Sequence, residues 1–315
     1  MNLAEQIEVC CLIEATARKP GNVHPAAAFA DLSYDDFANA AAAIGQPLAA
    51  VRQVGLGRAI LHAIEATQRR AGSNVNLGIA LLIAPLAAVP VRQTLAAGIH
   101  EVLSGTTVDD AEQVYAAIRL AQPGGLGTAE SQDVNDRPTV TLREAMRLAA
   151  DRDRIAEQYA TDFDFLIGTA RPWLIDVWQQ SLDHQNLADI DGYRSFPGIA
   201  PWEAAIIQLQ LKLLAVARDS LVARKCGIET AIELQTRAAK LLNCHWPRES
   251  GSDTSLTTFD RWLRADGHRR NPGTTADLIA ATLFAAVRDG LIKPPTRDEV
   301  LRHAELIQRT TGTTP

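Results

Sequence analysis

The chain has 315 residues, 47% of them hydrophobic and 22% charged, with a formal net charge of −6. These totals fit a soluble globular protein of one large domain or two ordinary ones. They argue against a general electrostatic footprint for nucleic acid, though not against a local basic pocket. Cys10, Cys11, Cys226 and Cys244 form no CxxC pair and read as reduced, mostly buried thiols. The first residues include acids and lack the basic-then-apolar form of a signal peptide. The longest apolar run, 79–91, is too short for a bilayer span and holds two prolines. The expectation is a cytoplasmic protein that meets small molecules, with no nucleic-acid or membrane partner.

Leu3, Ile7, Cys10 and Glu14 recur at 3–4 spacing and predict a helix over 3–17. Glu14 then sits on the apolar face near the helix C-terminus, where the dipole disfavours a negative charge. It is either a rim residue in water or has a cation beside it: Lys19, a metal ion or another side chain. Arg18-Lys19-Pro20-Gly21-Asn22-Val23-His24 ends the helix. Pro20 fixes φ and pushes Lys19 out of helical geometry, and Gly21 permits a positive φ. The result is a tight polar bend whose lysine suits phosphate or simply stops a helix.

Ser33 to Asp36 reads as a capping box for a helix to about residue 44, broken by Gln46-Pro47, and 48–70 reads as the next helix. Gly72-Ser73-Asn74-Val75-Asn76-Leu77-Gly78 is the second unusual stretch. A glycine-flanked loop entering a helix offers backbone N–H groups to an anion, and Asn74 and Asn76 offer oxygens to Mg²⁺ or a sugar. Either asparagine is equally suited to capping the helix. No P-loop motif occurs.

A segment over 90–103 and a Thr107-capped helix to 122 follow. The loop 123–138 is long for a compact domain. Its Gly125-Leu126-Gly127 lacks the third glycine and the preceding strand of a dinucleotide fingerprint. Glu130, Asp133 and Asp136 could each supply a metal ligand or simply face water. Thr141 caps a predicted helical stretch to about 165, with 151–154 as a solvated face of ion pairs. Further helices read over 172–184, 202–225 and 228–242, with a short one over 259–264. The connection 183–201 is the candidate subdomain seam. Asp219 has no structural role visible in the pattern, whereas Arg224 and Lys225 suit a helix C-terminus. The third unusual stretch, Asp266 to Leu278, carries Asn271-Pro272-Gly273-Thr274 into a helix start, again favourable to an anion. Thr274 and Asp277 also have capping-box spacing. Helices to 289 and over 296–309 end the chain. No segment alternates with period 2, so the fold class is all-α: a single domain over 1–315 of ten or more helices.

Three stretches with cationic, N–H and oxygen-ligand chemistry suit a polyphosphate with Mg²⁺. Their order carries a resemblance. Glu14…Lys19-Pro20-Gly21, Gly72 to Gly78, and Asn271 to Leu278 resemble the E…PKPG, GxNTxxG and SPGGxADL patterns of the triphosphoribosyl-dephospho-CoA synthase family. Asp31-Leu32 is similar to that family's Asp-Met pair, and Asp219 to Lys225 to its Asp-Thr-Asn-Val-x-x-Arg segment. The chain departs at Asn22-Val23-His24, where the citrate-lyase branch has Leu-Val-Asp. Pro123 to Gly127 and Asp153 to Tyr159 look more like a divergent archaeal-type branch associated with tetrahydromethanopterin-dependent one-carbon metabolism.

The resemblance implies a transferase that moves the triphosphoribosyl group of ATP to an acceptor hydroxyl and releases adenine. The acceptor would be dephospho-CoA or another cofactor precursor, with Mg²⁺ as the metal. It implies phosphate or nucleotide contacts at Lys19, Gly21, Asn22, Gly78, Arg224, Asn271, Gly273 and Thr274. Glu14, Asn74, Asn76 and Asp277 would be metal ligands, and Asp31 or Asp219 the catalytic base. A Mg²⁺-dependent hydrolase of ribosyl or phosphate esters and a non-catalytic helical binding protein are the competing readings.

Overall fold

The structure is a computed structural model and describes residues 1–72, 75–124, 131–183 and 187–311. Sixteen α-helices lie among them and no strand; the sole β-type pairing there is the His24–Ala27 bridge. In chain order they are α1 (Leu3–Thr16), α2 (Tyr34–Ala49), α3 (Val51–Val54), α4 (Leu56–Ala71), α5 (Leu77–Ala88), α6 (Leu95–Ser104), α7 (Val108–Ala121) and α8 (Leu142–Arg147). Then follow α9 (Arg154–Ala160), α10 (Arg171–Asp183), α11 (Pro201–Val216), α12 (Ser220–Cys226), α13 (Ile228–Asn243), α14 (Ser252–Arg264), α15 (Gly273–Arg288) and α16 (Arg297–Thr311). A π-helical turn over Leu166–Ala170 leads into α10. No described helix is long and apolar enough to cross a membrane.

Capping boxes start α1 (Asn2 with Glu5), α2 (Ser33 with Asp36), α7 (Thr107 with Asp110) and α8 (Thr141 with Glu144). Each pairs two backbone donors that would otherwise stay unsatisfied. The structure also corrects several expected boundaries. Pro47 does not end α2 before it but lies inside its last turn, removing one N–H donor from a helix that ends at Ala49. The real break is Gly55, at φ +93°, between α3 and α4. The stretch expected as one helix to 165 is divided by Asp153, which caps α9. The one expected over 202–225 is divided by Asp219, which caps α12. The tail 312–315, the Gly125–Leu126–Gly127 motif, Glu130 and Asn74 lie outside the described residues.

Two hydrophobic cores share one helix. The larger is built on α1, α5 and α15, which bury residues all round, and α2, α4, α7 and α10 close it. The smaller is formed by α12, α13 and α14. α11 faces both: Ile206, Leu209 and Leu213 join the large core, Ile207, Leu211 and Leu214 the small one. The stretch 183–201 precedes this shared wall.

At the head of α11 lies a fully buried carboxylate, Glu203. It accepts from Arg18 Nε at 2.7 Å and Nη2 at 2.9 Å, from the Arg18 amide at 3.0 Å and from His303 Nε2 at 2.8 Å. Burial alone would raise this carboxyl, but the hydrogen bonds and charges of Arg18 and His303 outweigh it and hold it down to about 2. A folded-state value below the usual 4.5 stabilises the fold above that pH, and this contribution fades as pH falls toward about 2. Thermal or urea melts should therefore show Glu203→Gln about 3 kcal/mol less stable than wild type near neutrality. That gap should narrow steadily below pH 4.5; a gap that does not change with acidification contradicts this role.

Candidate active site

The bend after α1 is held from two sides. Arg18 reaches across to Glu203, while Lys19 folds back onto its own helix. Lys19 Nζ lies 2.9 Å from Glu14 Oε1 and also donates to the Glu14 carbonyl. The lysine thus balances a buried carboxylate and satisfies a carbonyl at the end of α1. Its side chain is 0% exposed and does not line a cavity. The expected phosphate contact at Lys19 is therefore corrected: its charge is spent on Glu14. Gly21 has φ +77°, and its amide donates to Asp260 Oδ1 at 2.7 Å. A Cβ there would lie 2.8 Å from Leu263 and 3.1 Å from Pro272, so Gly21 lets the bend close on α14. It docks the bend and does not face the cavity either.

Next to this bend is a cavity of about 510 Å³. All three unusual stretches reach it: Glu14, Asn22 and Val23 from the first, Val75, Leu77 and Gly78 from the second, Asn271, Gly273, Thr274 and Asp277 from the third. Its charged lining includes Glu14, Asp277, Asp153, Arg152, Arg224 and Lys225, beside polar groups such as Tyr115, Gln132 and Asp133. Its apolar lining includes Phe37, Leu81, Val114, Ile118, Leu142 and Met146 from α2, α5, α7 and α8. Concave and mostly apolar by area, with convergent polar groups, it has the form of a small-molecule site.

Asp277 is the least committed group in it. Its carboxylate makes no hydrogen bond or ion pair among the described residues. The expected capping box with Thr274 does not form; α15 starts at Gly273 with Pro272 before it. Burial, and then the charges of Glu14, Asp219 and Asp153, push this carboxyl well above the usual range, with Arg224 opposing. Asp277 Oδ2 leans on Gly78, where an added Cβ would stand 2.0 Å away. Gly78 is thus kept bare for a carboxylate, not for a phosphate.

Asp219 and Asp31 do not reach this cavity. Asp219 is 1% exposed, and Oδ1 accepts from the Val222 amide at 3.0 Å. Its Oδ2 accepts from the amide and hydroxyl of Thr275, each at 2.8 Å. It is the anion that the α15 N-terminus was expected to receive from a ligand. The Thr274 hydroxyl is likewise engaged, with Ser220 Oγ at 3.0 Å and the Leu221 amide at 3.2 Å. Asp31 is exposed and pairs with His268 Nε2 at 3.3 Å, and the His268 ring stacks on Phe29. Neither acid is placed as the expected base. Asn76 is buried but neither caps α5 through its side chain nor lines the cavity, and its Nδ2 has no partner among the described residues.

Two lining residues, Asp153 and Lys225, had no ligand role assigned from the sequence, and a third, Asp133, was one of three loop acids offered as a metal ligand. Asp153, expected on a solvated face, caps α9 through Oδ1 and holds Arg224 Nη1 at 2.5 Å through Oδ2. Lys225 has an ordinary place at a helix end, which hid it. Asp133 lies on a loop pinned to α7, where Tyr115 Oη donates to the Gln132 carbonyl at 2.7 Å and Arg119 to that of Val134. The length of that loop and its three acids were the signals visible in the sequence.

A family described as ATP:dephospho-CoA triphosphoribosyl transferase (CitG) matches residues 1–294. A probable 2-(5''-triphosphoribosyl)-3'-dephosphocoenzyme-A synthase of Albidiferax ferrireducens is 32% identical over 90 residues, 29% of each chain. The match thus spans under a third of that relative's length. A crystal structure of a candidate triphosphoribosyl-dephospho-CoA synthase from Archaeoglobus fulgidus superposes with a TM-score of 0.59 at 24% identity, covering 80% of this chain and 99% of that one. It shares the fold.

The Gly78–Asp277 contact gives a direct test. Alanine in a helix ordinarily gains about 1 kcal/mol over glycine. Gly78→Ala should instead force Asp277 aside and lower the thermal melting midpoint by several degrees, with the helical circular dichroism kept. A melting midpoint at or above wild type in that variant contradicts the arrangement.

Proposed function

From the premise that the chain belongs to the ATP:dephospho-CoA triphosphoribosyl transferase family, we propose that its cavity binds Mg-ATP and transfers the triphosphoribosyl group to an acceptor hydroxyl, with adenine released. The convergence of the three stretches on one cavity lined by both charged and apolar side chains carries this reading. The apolar lining suits the purine. Arg152, Arg224 and Lys225 in the charged lining suit the triphosphate, with Asn22, Asn271 and Gly273 also lining the cavity. Dephospho-CoA is the acceptor named by the family; a different cofactor precursor is the alternative that the Asn22-Val23-His24 departure keeps open.

Mg²⁺ fits the donors present. Among the described residues no group of three or more His, Cys, Asp or Glu could hold a metal. Magnesium, however, commonly takes one or two carboxylates and completes its shell with substrate phosphates and water. Glu14 and Asp277 would hold it, their charges being close enough to raise the Asp277 carboxyl. When bound, it would neutralise charge on the triphosphate.

In the reaction the acceptor oxygen bonds to C1′ of the ribose as the bond from C1′ to adenine breaks. The acceptor's proton leaves and adenine takes one up, so charge and atoms balance. Positive charge develops on the sugar, as in glycosyl transfer. A carboxylate-rich wall stabilises such charge. The acceptor's proton needs an acid on the cavity wall. Glu14 and Asp277 are assigned to the metal, and Asp153 is committed to α9 and Arg224. Asp133, whose Oδ1 accepts from the amide and side chain of Asn135, is the further lining acid taken as the base in this scheme.

Pure protein with Mg-ATP and dephospho-CoA should release adenine in step with consumption of the acceptor, read by chromatography. Asp277→Asn should reduce this by about a hundredfold or more. Asp133→Asn should lower kcat while Mg-ATP binding stays near wild type. Release of ADP or phosphate in place of adenine overturns the proposal, and adenine release that ignores every acceptor identifies a hydrolase.

A further inference from the structure

Behind the cavity, three side-chain amides stand in series. Gln210 of α11 is fully buried. Its Nε2 lies 2.9 Å from the Pro20 carbonyl oxygen and 2.8 Å from Asn22 Oδ1. Asn22 Nδ2 in turn lies 2.6 Å from Asn271 Oδ1. An amide can be turned over, exchanging oxygen for nitrogen, so each link taken alone has two readings. The first partner removes that freedom. A backbone carbonyl only accepts, so Gln210 must present its NH₂ to Pro20. The same NH₂ then faces Asn22, which must answer with its oxygen. Asn22 is left to donate to Asn271, and Asn271 must answer with its oxygen too.

The Asn271 NH₂ is thereby left over. Asn271 lines the cavity, and its Nδ2 donates to no group among the described residues. The arrangement also has a cost: Gln210 Oε1 is buried with no partner among the described residues. A buried amide with an unsatisfied oxygen is not what packing alone favours. It does set a direction.

We propose that Gln210 is a positioning residue: through Asn22 it fixes Asn271 as a hydrogen-bond donor to an anionic oxygen of the ligand, such as phosphate. This rests on the reading of the cavity as a nucleotide site. Gln210 itself touches no ligand, as it does not line the cavity. Its influence therefore has to pass through Asn271, which makes the two residues energetically coupled.

A double-mutant cycle on the full chain, with Mg-ATP titrated in a calorimeter, tests the coupling. Asn271→Ala should raise Kd about tenfold, as expected for losing a hydrogen bond to a charged group. Gln210→Met should raise it about threefold in the wild-type background and leave it unchanged when Asn271 is already alanine. The same factor in both backgrounds, or no effect in either, overturns the proposal. Asn271→Asp serves as a second readout that does not disturb the core, since its carboxylate still accepts from Asn22 but cannot donate. It should bind Mg-ATP at least several-fold more weakly than Asn271→Ala; affinity equal to wild type overturns the donor assignment. Wild-type protein that binds no Mg-ATP instead refutes the nucleotide reading, and this inference with it.

Discussion

Two consecutive cations sent in opposite directions hold this structure together at its functional end. Arg18 crosses to Glu203 on α11, and Lys19 returns to Glu14 on α1. All four side chains are removed from water, a costly state unless the geometry is good and the remaining donors are used. Both conditions hold. Glu203 accepts from Arg18 and His303, and Lys19 reaches the Glu14 carbonyl as well as its carboxylate. The backbone between the two pairs and the cavity has little freedom left. Gly21 closes on Leu263 and Pro272, and Arg264 donates to the Asn22 carbonyl at 2.6 Å. Asn22 and Val23 enter the cavity wall as a result.

The same pairing settles the electrostatics of the cavity floor. Glu14 brings its own cation, so its charge is compensated before any ligand arrives. Asp153 has Arg224, and Asp219 has the α12 and α15 amides. Asp277 has none of these. Burial, and then the charges of the three other acids, hold its carboxyl above the usual range. A floor with one uncompensated carboxylate among compensated ones attracts a cation. The flanking Arg152 and Lys225 attract an anion. A metal–polyphosphate complex satisfies both, where either ion alone would leave one repelled.

Much of this was legible in the sequence, but not evenly. Apolar spacing and capping boxes identified the helical class and most starts, because those signals are local. The same locality concealed Asp153 and Asp219. Each lies in a run that looks helical, and only the folded chain shows that its carboxylate begins a new helix. The three stretches were visible as interruptions, and they do meet. Their internal assignments were less readable. Lys19 could be read as a phosphate ligand or as the cation beside Glu14, and only the folded chain shows that it takes the second place. The α15 entry looked empty because its anion, Asp219, comes from more than fifty residues earlier. Gln210, one of two glutamines on an apolar helix, gave no signal at all.

The central claim is that one cavity holds a metal-bound triphosphate against its charged side chains and a purine against its apolar ones. A crystal structure of the protein with Mg²⁺ and a non-transferable ATP analogue addresses this most directly. The account predicts the metal between the Glu14 and Asp277 carboxylates, the phosphates beside Arg224 and Asn271, and the base among Leu81, Val114 and Met146. A nucleotide bound elsewhere on the surface, or one with its phosphates among the apolar side chains, would contradict it.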